Sequence, residues 1–203
     1  MQAFTDLRAV AAPLEMTNVD TDQILPSRFI RLPRSGGYQD FLFRDLRFDA
    51  DGTEKPGFVL NQPAFRRAQI LVADRNFGGG SSREQAPWGL LDFGIRCVIA
   101  VDFGEIFYNN ALKNGLLPVQ LDAQACAHLR ARLASAPGTM LQVDLPSQTV
   151  TADDGTRYTF AIDPGRKHRL LEGLDDIGIT LRHEAAMAAF EATYRQRFDW
   201  LFN

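Results

Sequence analysis

Only two cysteines and three histidines occur in the 203 residues of this chain. Cys97 lies in the apolar run Arg96-Cys97-Val98-Ile99-Ala100-Val101 and reads as a small buried hydrophobe. Cys126 falls in a helical stretch far along the chain, so the two form neither a disulfide framework nor a metal motif. His128, His168 and His183 are scattered without H-E-x-x-H or similar spacing. No metal-ligand set is therefore expected. A Ser-His-Asp hydrolase has no support either, because no serine stands in a G-x-S-x-G turn. No apolar run reaches membrane-spanning length, and Met1-Gln2-Ala3-Phe4-Thr5-Asp6 lacks the basic start and apolar core of a signal peptide. An excess of positive charge is missing as well: the formal net charge of −3 argues against nucleic-acid binding by bulk electrostatics. The expectation is a soluble, cytoplasmic protein that meets neither membrane nor nucleic acid. Internal repeats and low-complexity tracts are also lacking.

What is present is an ordinary globular composition, 45% hydrophobic and 23% charged, enough for one sizeable core. An early strand is expected around Arg8–Ala11. The turn-rich run Thr17–Pro26, dense in side-chain acceptors, follows it. Residues 27–57 show little periodicity, and so long an irregular connection reads as functional or mobile. From residue 69 the chain alternates: strand 69–73, helix 82–92, strand 97–101, helix 103–113, a short apolar run 116–121 and helix 122–134. That order implies parallel sheet. Strands 139–145, 149–152 and 156–162 then form an antiparallel annex, with the hairpin signal Asp153-Asp154-Gly155 between the last two. Helices are expected at 164–174 and 183–198. The fold class is α/β: a single domain over 1–203 with a mixed sheet and flanking helices.

The strand-to-helix turn Asn76-Phe77-Gly78-Gly79-Gly80-Ser81-Ser82-Arg83-Glu84 carries the chemistry. Its glycines let backbone approach a ligand closely. The unpaired N–H groups of a helix start beside them suit an anion. Two hydroxyls and a guanidinium follow in consecutive positions, which points to a carboxylate or phosphate that undergoes a reaction. Neither the P-loop pattern nor the spaced dinucleotide fingerprint is met, since Gly78, Gly79 and Gly80 are contiguous.

Taken in order, Asn18-Val19-Asp20-Thr21-Asp22, Asn76–Glu84, Ile106–Asn110, Lys113–Pro118 and Gly173–Gly178 resemble the small-subunit family of bacterial 3-isopropylmalate dehydratase. This family is related to the swivelling fourth domain of aconitase, and the resemblance covers nearly the whole chain. It implies a β/β/α swivelling domain that is active only beside a large subunit. That partner carries a [4Fe-4S] cluster whose iron takes the leaving hydroxyl, and none is bound by this chain. The implied reaction interconverts 2- and 3-isopropylmalate through isopropylmaleate, in leucine biosynthesis. By the same resemblance Ser81 is the base at the carbon beside a carboxylate, and Arg83 and Ser82, with the Gly78–Gly80 loop, hold substrate. Asp22 orients a histidine of the partner.

Two alternatives stay open: a hydro-lyase subunit for another hydroxy-dicarboxylate, of citramalate or dimethylmalate type, and a non-catalytic anion-binding module. Helix capping is the competing role for Ser82, and an Asx-turn that for Asp20. Substrate choice is expected in residues 24–36, where Ile24, Leu25, Phe29, Ile30 and Leu32 alternate with Arg28, Arg31 and Arg34. Two departures from the family pattern stand out: Gln85 in place of histidine, and Gly79 where cysteine is frequent. The aromatic C-terminus, Phe198–Phe202, is expected to pack on the core, with an intermolecular contact as the other option.

Overall fold

The computed structural model describes residues 1–202. Seven strands form one mixed sheet: β1 (Asp6–Pro13), β2 (Ile70–Val72), β3 (Cys97–Ala100), β4 (Leu117–Gln120), β5 (Met140–Asp144), β6 (Thr149–Thr151) and β7 (Arg157–Thr159). Their spatial order is β4-β3-β2-β1-β5-β6-β7. The first four run parallel, and β1 turns antiparallel to β5, with Leu7 opposite Val143 and Ala9 opposite Leu141. Both halves therefore hang on one central strand.

The short parallel strands read as continuous apolar runs because both faces are covered. Ile70, Val72, Cys97, Ile99, Leu117 and Val119 face one core. It is closed by α5 (Ala123–Ser135), by Leu170 of α6 (Pro164–Glu172) and by the annex residues Leu141, Val143 and Val150. Leu71, Ala73, Val98 and Ala100 face the other core. That side is closed by α3 (Gln85–Phe93), α4 (Glu105–Asn114) and the chain between Leu14 and Ala68. Local sequence sets the helix starts: Asp122 and Asp163 accept from the backbone N–H groups of Ala125 and Arg166, satisfying donors a helix leaves open.

The expected elements appear within a few residues of their predicted bounds. Three were not anticipated: the four-residue helices α1 (Thr21–Ile24) and α2 (Arg44–Arg47), and α7 (Asp176–Leu181), capped by Asp175. Within 27–57 the packing is uneven. Residues 31–36 are exposed, whereas Tyr38, Leu42 and Phe43 are fully buried. Buried Arg47 is satisfied there by Asn61 Oδ1 at 3.2 Å and Gln39 O at 2.9 Å. The C-terminus does not pack as predicted. No side chain of α8 (Glu184–Arg197) is buried, and Phe190 and Trp200 are 67% and 69% exposed. Its aromatics meet one another, in the series Phe190–Tyr194–Phe198, with Phe202 edge-on to Tyr194. The helix carries alanine at five positions between Ala185 and Ala192 and so offers no strongly polar face.

Candidate active site

Two segments run side by side at the carboxyl ends of the parallel strands. Residues 18–22 leave β1, and residues 76–83 leave β2. Asn76 Nδ2 donates to Asn18 Oδ1 at 3.0 Å, the Gly78 N–H to Val19 O at 2.6 Å and the Thr21 N–H to Gly79 O at 2.9 Å. Thr21 Oγ1 then donates to Ser81 O at 2.9 Å. At the open end Arg83 Nη2 donates to Asp22 Oδ2 at 2.6 Å, and its Nη1 reaches Leu25 O at 3.4 Å. Asp22, Ser81, Ser82 and Arg83, distant in sequence, thus share one surface.

The loop needs its glycines unequally. Gly78 has φ +75°, and a Cβ there would meet the Phe107 ring at 2.2 Å. Its carbonyl in turn lies 2.4 Å from where a Cβ on Gly104 would stand, so the start of α4 is pressed onto the loop by glycine on both sides. Gly79 is different. Its φ is not positive, and a Cβ would stand 2.9 Å from Asn76 Oδ1, so that a side chain there requires only the amide bonded to Asn18 to shift.

Donors outnumber acceptors on this surface. The N–H groups of Gly80, Ser81, Ser82, Arg83 and Glu84 find no acceptor among the described residues. Ser81 and Ser82 are exposed, and neither hydroxyl is engaged within them. Helix α3 begins later than predicted, at Gln85, with Glu84 as its N-cap and no side-chain cap. Ser82 therefore does not cap it. Asp20 does cap a helix: it forms a reciprocal capping box with Gln23 at the start of α1. The anion-attracting character comes from the loop's own N–H groups more than from a helix end.

Asp22 and Arg83 shift each other. The guanidinium hydrogen bond holds the Asp22 carboxyl below its usual range, helped by the Ser27 N–H, and Arg83 is raised in return. Arg83 is largely covered while Asp22 is open to solvent. The arginine Nε has no acceptor among the described residues, which leaves one edge of its fork for an incoming carboxylate.

The three arginines expected to bear on substrate choice are not gathered here in the same way. Arg28 makes a two-pronged pair with Asp45, and Arg34 pairs with Asp92 at 2.9 Å beneath the face of Trp88. Arg31 is exposed and makes no ion pair among the described residues. Gln85, half-buried, opens α3 beside Glu84, whose carboxylate accepts from Asn114 at 3.0 Å. Sequence reasoning missed Thr21 as a member of the site. Its only signal was its place in an acceptor-rich run beside Asp22.

No set of His, Cys, Asp or Glu converges as a metal site among the described residues. Both thiols are buried in the core, and burial pushes that of Cys126 up to about 11. The donor set of this chain does not fit an iron–sulfur cluster, which needs accessible thiolates. A concavity of about 520 Å³ lies away from the loop, between α4, α6 and the start of α7. The loop surface itself is open.

Comparison with known proteins follows the same division. Residues 1–124 match the model of the aconitase C-terminal domain, and 127–164 that of LeuD_N. Residues 176–203 match the C-terminal domain of the 3-isopropylmalate dehydratase small subunit. The chain is 51% identical over 201 residues to a 3-isopropylmalate dehydratase small subunit of Jannaschia sp., covering 99% of this chain and 100% of that protein. It is 50% identical to that of Gluconacetobacter diazotrophicus, covering 98% and 97%. A crystal structure of 3-isopropylmalate dehydratase from Methanocaldococcus jannaschii superposes with a TM-score of 0.65 at 23% identity, over 91% of this chain and 98% of that one, and supports the fold. With full-length identity near one half and the aconitase-type domain spanning β1 to α5, the chain belongs to the 3-isopropylmalate dehydratase small-subunit family of the aconitase superfamily.

Proposed function

We propose that this chain is the substrate-handling half of a hydro-lyase that interconverts 2- and 3-isopropylmalate through isopropylmaleate. The observation that carries the reading is the gathering of Ser81, Ser82, Arg83 and Asp22 beside unpaired loop N–H groups on an open surface. Ser81 Oγ takes the proton from the carbon next to a substrate carboxylate. A neutral hydroxyl is too weak a base for this, so its alkoxide must be stabilised; the outward N–H groups and the Arg83 cation are what stabilise it. Arg83 receives the carboxylate along its free edge and absorbs charge as the carbanion delocalises into it. Ser82 adds a hydrogen bond.

Among the described residues no group of metal-holding side chains converges that could bind the departing hydroxyl. That task falls to a large subunit, which carries a [4Fe-4S] cluster if the family pattern holds. Asp22, exposed beside Arg83, orients a histidine of that subunit. Residues 28–34 are the segment that meets the variable arm of the substrate, and isopropylmalate, with one apolar arm, is favoured where Arg28 and Arg34 stay neutralised by Asp45 and Asp92. An unpaired buried cation there would select a third carboxylate instead.

The test is reconstitution. The chain is mixed anaerobically with its large subunit, and alkene absorbance is followed from 3-isopropylmalate, citramalate and dimethylmalate. Turnover of isopropylmalate that vanishes in Ser81→Ala supports the reading. Turnover of another diacid alone keeps the chemistry and moves the substrate. A stable complex inactive on all three overturns it and favours the anion-binding module.

A further inference from the structure

We infer that Thr21 is the positioning residue of the reactive loop: its hydroxyl and its backbone N–H together set the direction of the peptide groups on either side of Ser81. The inference rests on the reading of Ser81 as the proton-abstracting group. Thr21 is one of few buried polar side chains, 2% exposed, and its hydroxyl donates to Ser81 O at 2.9 Å. Its N–H donates to Gly79 O at 2.9 Å. One residue thus holds the carbonyls of Gly79 and Ser81.

Peptide geometry makes that consequential. In a trans peptide the carbonyl of one residue and the N–H of the next point in opposite directions. No cis bond occurs among the described residues. Turning the Gly79 and Ser81 carbonyls inward to Thr21 therefore turns the Gly80 and Ser82 N–H groups outward, and neither of these finds an acceptor among the described residues. They flank the Ser81 hydroxyl as a fixed pair of donors. Nothing else among those residues anchors Ser81, whose N–H and Oγ are both unengaged. The Gly80 backbone leaves room for this arrangement: a Cβ there would stand 3.8 Å from Thr21 Oγ1.

Thr21→Val keeps the shape and the backbone N–H and removes only the hydroxyl bond, whereas Thr21→Ser keeps that bond. Each full-length variant is assayed with the large subunit on 3-isopropylmalate. Misplacing a reacting group by about an ångström costs up to about 100-fold. Thr21→Val is accordingly expected to lower kcat at least tenfold with KM changed less than about threefold, and Thr21→Ser to return kcat to within threefold of the parent. Amide resonances of the free full-length chain give the independent readout. In Thr21→Val the Ser82 N–H signal should move while that of Gly80, still held through the Thr21 N–H, should not. Parental kcat in Thr21→Val, or Gly80 and Ser82 signals that move alike, overturns the inference. Ser81→Ala run alongside separates the two levels. If it is dead while Thr21→Val is fully active, only the positioning role fails; if it is active, the Ser81 reading itself fails.

Discussion

The loop at residues 76–83 and the arm at 176–202 differ in almost every physical respect. The loop is held by hydrogen bonds to residues 18–22 and by glycine contacts with no slack, and what it leaves unmet is polar: N–H donors without acceptors. The arm is held by little, and what it leaves unmet is apolar: Ile177, Leu181, Phe190, Trp200 and Phe202 all lie more than half exposed. Each surface is half of something. Unpaired donors attract a small anion, while a helix with alanines and aromatics on most sides calls for enclosure by protein. The family models divide the chain at the same place, with the aconitase-type domain holding the loop and a separate small-subunit segment holding the arm. We propose that the large subunit covers the arm, whose exposed apolar side chains supply contact area that the polar loop surface lacks.

The comparison breaks most sharply at Ser81. Positioned general bases contribute about 100- to 10,000-fold, so Ser81→Ala should cost at least about a hundredfold in kcat of the reconstituted enzyme while leaving the melting curve of the free chain in place. Gly78→Ala should do the opposite. Its positive φ and the Phe107 ring resist a methyl group, and overpacking of this kind costs about 1–3 kcal/mol; thermal melting of the free chain measures it. In the arm, Phe190→Ser should leave the melting temperature of the free chain within error yet weaken the complex with the large subunit about tenfold, read by titration calorimetry. An equal affinity for parent and variant would refute the covered arm.

The smallest effect belongs to Asp22. Its carboxyl is depressed by Arg83, so any stability from the pair is full above the ordinary carboxyl value of 3.8 and is lost as pH falls through the lower folded value. The pair is open to solvent, and such pairs contribute at most about 1 kcal/mol. Asp22→Asn should therefore melt slightly lower than the parent at pH 7, and the two should converge once the pH has fallen through the depressed folded value. A gap that persists in acid would show that Asp22 acts through something other than its charge.

How much of this is legible before the structure follows from the range of the interactions. Period and turn chemistry are local, so β2 to α5 and the annex hairpin can be read to within a few residues, and the glycine loop stands out by composition alone. Registers between distant segments are not local. That Thr21 meets Ser81, or that Arg83 meets Asp22, depends on β1 and β2 being neighbours, which no window of sequence displays. The arm misleads for a related reason: an apolar helix reads as core whether its partner lies in the same chain or another. Ser82 suits a cap because capping preference says which residue fits a helix start, not where the helix starts.

The central place of β1 has a consequence for how the molecule is made. The first strand synthesised pairs on one side with β2 and on the other with β5, so that Asp6 waits for Asp144. Until most of the chain has left the ribosome, β1 has one open edge, and that edge is the seam on which both halves of the sheet depend. Contacts this distant in sequence slow folding and leave sticky intermediates. A nascent chain halted after α5 would hold the whole loop surface, Ser81 included, on a sheet whose middle strand was still an edge. Folding of the β5–β7 meander is therefore the step that closes the open edge of the central strand.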